Sequence, residues 1–170
     1  MSAVVGLGHA GGLIADLFSE YPQYETYKVR VGKRKGKYKN SYTIPVQESP
    51  ELYEESCPSL KTFFKNTDKD ILFVVDGSEM LSAASLRVLE ALKSRAITIL
   101  YIRPDLNFLT NDQRLNERTV RGVLQEYARS AIFERIYLVD VPLVAATLGD
   151  VPIKSYHKLV YDAIVSTLHM

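Results

Sequence analysis

Apolar residues in this chain recur in two rhythms that take turns along its length. Short β-branched or apolar runs at Ala3–Val5, Thr26–Val31, Ser41–Val46, Ile71–Val75, Ile97–Ile102 and Ile136–Val139 read as strands. The last three are almost continuously apolar, as expected of strands covered on both faces in a parallel sheet. Between them the spacing turns helical. Leu13, Ile14, Leu17 and Phe18 form one stripe, and Leu81, Ala84, Val88, Leu89 and Leu92 a second. Val120, Val123, Leu124, Tyr127, Ala128 and Ala131 form a third, and Leu159, Val160, Ala163, Ile164, Thr167 and Leu168 close the chain. Such alternation predicts a three-layer α/β fold with a doubly wound, mostly parallel, Rossmann-like sheet.

Local signals place some boundaries. Thr110 with Gln113 three residues on predicts a capping box, and Ser155, after Gly149 and Pro152, is placed to cap the last helix. The stretch Val31–Tyr42, with Gly32 and Gly36 around a basic run, predicts a projecting hairpin or edge ribbon.

Composition narrows the class. At 170 residues the chain fits one domain with its own core, and the single cysteine, Cys57, cannot form an intrachain disulfide. No apolar run approaches the ~20 residues of a membrane span, so a cytoplasmic protein without membrane contact is expected. The net charge of +1 argues against a dedicated nucleic-acid binder. Charge is nonetheless uneven: Lys33, Arg34, Lys35, Lys37 and Lys39 precede Glu48, Glu51, Glu54 and Glu55. The basic run reads as a solvated turn. Interleaved with Tyr21, Tyr24, Tyr27, Tyr38, Tyr42 and Tyr53, it is alternatively a surface for stacked bases or for an acidic protein partner.

Candidate chemistry gathers at the carboxyl ends of the strands, where open α/β sheets bind ligands. After the first strand come Gly6, Gly8, His9, Gly11 and Gly12, a loop whose amides suit an anion at a helix start. After the fourth come Asp76, Gly77 and Ser78, followed by Ser82 and Ser85, whose hydroxyls either reach a ligand or cap the next helix. Arg103-Pro104-Asp105 follows the fifth strand and Asp140 the sixth. Gly6, Gly8 and Gly11 give the glycine fingerprint of dinucleotide binding, but the second strand ends Val31-Gly32-Lys33-Arg34 without the acidic residue that holds a ribose hydroxyl. Only a phosphorylated ribose, as in NADP, is compatible with that end. No Gly-x-Ser-x-Gly nucleophile and no metal-ligand spacing is present, so no catalytic residue and no metal site is expected.

The order of elements from Asp70-Ile71-Leu72-Phe73-Val74-Val75-Asp76-Gly77-Ser78, through Ile97–Pro104 and an Arg-rich helix, to Ile136–Asp140 and a terminal helix resembles the nucleotide domain of the tubulin and FtsZ family. More narrowly it is similar to small tubulin-like proteins of tailed bacteriophages, which would place it in host cytoplasm. The resemblance spans nearly all of residues 1–170, as spacing and strand character. It implies one nucleotide domain ending in the family's central helix, without the family's C-terminal domain. It also implies a GTP or GDP phosphate contact at Gly6, Gly8, His9, Gly11 and Gly12, with Gly77, Ser78, Ser82 and Arg114 as further nucleotide contacts.

The departures are specific. Leu13 replaces an asparagine of the family. The family's second glycine loop is here Glu79-Met80-Leu81-Ser82-Ala83-Ala84-Ser85, in which Glu79 brings a negative charge toward any phosphate. Arg114, Glu117 and Arg118 lie out of register with the family's ribose and phosphate contacts. The expectation is a degenerate tubulin/FtsZ-like domain acting as a structural or protein-interaction module, self-associating or engaging a filament protein, without GTPase activity of its own. The alternatives are a GTP-binding self-assembling protein and an NADP-binding Rossmann protein.

Overall fold

The computed structural model describes residues 3–32 and 39–169. Among the described residues the strands are β1 (Ala3–Leu7), β2 (Glu25–Val31), β3 (Ser41–Ile44), β4 (Asp70–Asp76), β5 (Ala96–Arg103) and β6 (Arg135–Asp140). The helices are α1 (Gly8–Phe18), α2 (Pro50–Ser56), α3 (Ser85–Glu90), α4 (Asn111–Arg129), α5 (Val141–Thr147) and α6 (Tyr156–His169). All strands pair in parallel in one sheet of order β3-β2-β1-β4-β5-β6, the order of the doubly wound dinucleotide folds. The expected α/β class and Rossmann-like sheet are therefore present.

Two cores hold the layers together. On one face Ile14, Ala15 and Phe18 of α1 and Val160, Ile164 and Val165 of α6 pack on Val4, Leu72, Val74 and Leu100. On the other, Tyr53 of α2, Leu60, Phe64, Val88 of α3 and Val120 and Leu124 of α4 cover Val5, Phe73, Val75 and Tyr101. Alternate residues of β4 thus serve opposite cores, which is why its sequence shows no polar alternation.

One expectation is corrected. Val31–Tyr42 is not a hairpin: β2 and β3 run parallel, with Val29 opposite Tyr42 and Val31 opposite Ile44. A connection of residues 32–40 is shorter than the roughly dozen residues parallel strands ordinarily need, so it reads as a hairpin turn. The edge position of β3 is as expected, and residues 33–38, with most of the basic run, lie outside the described residues. Ser155 is the last residue of a 3₁₀ turn, Ile153–Ser155, directly before α6. The short helices α2 and α5 are additions, each with proline in its first turn; Ser49 caps α2 by accepting from Leu52 N at 3.3 Å. Thr110 and Gln113 do form the capping box of α4. Among the described residues no helix is long and apolar enough to cross a membrane.

Candidate functional site

From β1 the chain moves outward to β2 and β3, then returns past β1 to β4, so the direction of winding reverses between β1 and β4. That reversal opens a crevice beyond the strand ends, bordered by the start of α1 and by the turn after Asp76.

The start of α1 has no acidic residue in its first turn and no side-chain cap of its own; its N-cap is Leu7. Its unsatisfied N–H groups and the helix dipole call for negative charge. A side chain from elsewhere in the chain supplies it. Glu79 Oε1 accepts from His9 N at 3.0 Å and from Ala10 N at 3.1 Å. The carboxylate thus lies where a fold of this type receives a phosphate.

Gly8 makes room for it. Its φ is +79°, and a Cβ there would collide with Glu79 Oε2. Burial pushes the Glu79 carboxyl up to about 7, Asp76 adds to the rise, and the amides of Ala10 and His9 oppose it. Burial likewise raises the Asp76 carboxyl, against the hydrogen bonds from Ser78.

The turn bearing Glu79 is held from two sides. Asn116 of α4 donates through Nδ2 to Gly77 O and Glu79 O, both at 2.9 Å, and to Ser82 Oγ at 3.2 Å. Ser82 donates through N to Glu79 O at 3.0 Å and through Oγ to the same carbonyl at 2.6 Å. Ser78 donates from both N and Oγ to Asp76 Oδ1, at 2.8 and 2.7 Å. Ser85 Oγ caps Ser82 O at 2.6 Å.

A cavity of about 600 Å³ opens beside this turn. Asp76, Ser78, Glu79 and Tyr161 lie in its lining with Ala10, Ile102 and Val141. Leu13, Phe108 and Ile153 also line it and are exposed, Phe108 at 80% and Ile153 at 94%. Large apolar side chains from two different loops are thus exposed at its mouth.

The sequence-predicted residues divide by location. Gly6 and Gly11 serve packing: a Cβ on Gly11 would lie 2.6 Å from Val74 O, so glycine here lets α1 sit against the sheet. Gly12 lies beside the Lys28 stem. His9 and Ser78 line the cavity, and Gly77 makes space for the Tyr101 hydroxyl. Ser82 turns inward onto the loop backbone. Arg114 stands apart, donating through Nε to Leu106 O at 2.9 Å.

The tyrosines grouped with the basic run are largely structural. Tyr27 and Tyr53 are buried, Tyr42 packs edge-on against Phe63, and Tyr21 stacks on His169 at 3.7 Å between ring centroids. Glu117 of α4 is 1% exposed. It accepts from the Tyr101 hydroxyl at 3.3 Å and pairs with Arg121 at 3.2 Å and Arg103 at 3.7 Å. Sequence reasoning missed Asn116 and Tyr161 altogether; neither carries a spacing signal.

No protein-family model and no curated protein sequence matches the chain. Among solved structures it is similar to the ligand-free aldohexose dehydrogenase of Thermoplasma acidophilum, with a TM-score of 0.52 at 11% identity, covering 99% of this chain and 85% of that one. A short-chain dehydrogenase/reductase from Veillonella parvula aligns with a TM-score of 0.48 at 10% identity, covering 99% and 86%. At these identities the likeness to the first is one of fold.

Proposed function

We propose that this chain is a Rossmann-like domain of nucleotide-binding descent whose phosphate position is filled by its own Glu79, and that it works as a structural or protein-interaction module. The observation that carries this reading is the pair of hydrogen bonds from His9 N and Ala10 N to Glu79 Oε1. A dinucleotide pyrophosphate and a GTP phosphate would need the same amides, so neither group fits the site with Glu79 in place. A phosphate and the ionised carboxylate ~4 Å apart would repel by about 4 kcal/mol per unit charge pair at an effective dielectric of 20. The tubulin/FtsZ resemblance supports a GTP-binding ancestor. Protein contact is supported by the exposed Phe108 and Ile153 at the cavity mouth.

The second reading is NADP binding, favoured by the strand order and by the fold shared with a dehydrogenase. It requires Glu79 to leave the α1 amides. Calorimetric titration with NADPH, NADH, GTP, ATP and pyrophosphate at physiological salt separates the readings. The expected result is no binding at millimolar ligand by the native chain, with pyrophosphate binding gained by Glu79→Gly. Micromolar NADPH binding by the native chain would establish the second reading, and micromolar GTP binding would establish a functional GTP site.

A further inference from the structure

The interior of the cavity has a chemistry of its own. Asp76 is 7% exposed and Tyr161 6% exposed. Asp76 uses Oδ1 for Ser78, while its Oδ2 accepts no hydrogen bond among the described residues. The Tyr161 hydroxyl makes no hydrogen bond among the described residues either, and it is not one of the polar atoms sealed away from solvent. The Tyr161 side chain is thus held in the core while its hydroxyl stays open to the cavity and unpartnered, available to a ligand there. Glu79 Oε2 is likewise without a donor, its Oε1 being committed to α1.

These groups feel one another. Burial is the main cause that raises the Tyr161 hydroxyl, and the charges of Asp76 and Glu79 add to it, as Asp76 adds to the burial of Glu79. Among the described residues the lining holds no lysine or arginine, and its basic side chains are His9 and His157. What the site offers is therefore acceptors: two carboxylate oxygens and a hydroxyl oxygen, set among Leu13, Ile102, Val141 and Ile153. A primary ammonium carries three N–H donors and no acceptor, which matches that set. A metal ion does not match it, since among the described residues no group of three His, Cys, Asp or Glu is placed to hold one. The volume of about 600 Å³ falls within the ~300–1,000 Å³ usual for small-molecule sites.

We infer that this cavity binds a small organic amine, its ammonium group received by Asp76, Glu79 and Tyr161 and its apolar body by the Leu13, Ile102 and Ile153 walls. The site goes beyond the filled phosphate position, because Asp76, Tyr161 and the walls are not part of the α1 anion cradle. Through Glu79 the inference rests on the proposed reading; nucleotide titration of the native chain tests that reading, and amine titration tests this one.

The test is NMR titration of isotopically labelled protein with 4-phenylbutylamine, 4-phenylbutanol and 4-phenylbutyrate, which share an apolar body and differ in charge. The amine is expected to saturate shifts at Ala10, Ile102, Ile153 and Tyr161 and to bind at least about tenfold tighter than the alcohol, as charge-assisted hydrogen bonds require. Asp76→Asn should remove that preference; Tyr161→Phe, which keeps the ring, should weaken the amine alone and provides the test should Asp76→Asn not fold. Equal or tighter binding of the alcohol or the acid, shifts mapping elsewhere, or no saturation would overturn the inference. A blocked Phe-Lys-Phe peptide binding more tightly than the free amine would overturn its assignment to a small molecule.

Discussion

Asn116 of α4 donates through Nδ2 to the carbonyl of Glu79 at 2.9 Å, tying the turn after β4 to the opposite layer of the fold. The same amide serves Gly77 O and Ser82 Oγ. One side chain thus positions the residue that fills the α1 cradle. Replacing Asn116 by alanine removes one donor from each carbonyl, both of which keep Ser82 as a partner, at a cost of about 0.5–1.5 kcal/mol. Urea denaturation should show that loss, and Asn116→Asp, which sets an acceptor against carbonyl oxygens, should lose at least as much. A stability unchanged within error in both variants would remove Asn116 from this role.

Gly8 and Glu79 should be energetically coupled. Gly8→Ala places a Cβ at φ +79° and against Glu79 Oε2. The backbone part costs about 1–2 kcal/mol wherever a non-glycine residue takes this conformation. The collision part disappears when Glu79 is shortened to alanine. A double-mutant cycle measured by denaturation should therefore show Gly8→Ala to be less harmful in the Glu79→Ala background than in the native chain. Additive effects would mean that the two side chains do not compete for the same space.

Stability should fall as pH rises between about 4.5 and 7. The Glu79 carboxyl is held at about 7 in the folded protein against 4.5 as its ordinary value, so across this window the folded state binds more protons than the unfolded one. By linkage, the contribution is fully present below about 4.5 and is lost as pH passes through about 7. The raised Asp76 carboxyl acts in the same direction. Urea midpoints at pH 5 and pH 7.5 should differ less in Glu79→Gln than in the native chain. A native-minus-variant difference that is the same at both pH values would contradict the shift.

Much of the architecture is legible in the sequence because its signals are local. All six apolar runs become strands, the Leu13–Phe18 and Leu159–Leu168 stripes lie on α1 and α6, and the third stripe lies on α4 from Val120 to Ala128, with Ala131 in the turn beyond its end. The direction of β3 is not legible, since a short connection rich in glycine and lysine carries a hairpin signal whichever way the strand returns. The site is legible in part. Glu79 stands out as a charge displacing expected glycines, but where its carboxylate lies depends on β1 and β4 being neighbours, a relation of residues some seventy positions apart. Glu117 reads as a solvated helical charge because its spacing to Arg121 is that of a surface pair; only the packing of Tyr101 and Arg103 from β5 reveals it as buried. Asn116 and Tyr161 need the same three-dimensional context.

The central claim is that the Glu79 carboxylate occupies the amide cradle at the start of α1, and backbone ¹H–¹⁵N shifts followed through a pH titration test it most directly. The Ala10 amide should titrate with a midpoint near 7, following the Glu79 carboxyl, and this transition should vanish in Glu79→Gln. An Ala10 amide that does not titrate in the native chain, or that titrates identically in Glu79→Gln, would contradict the account.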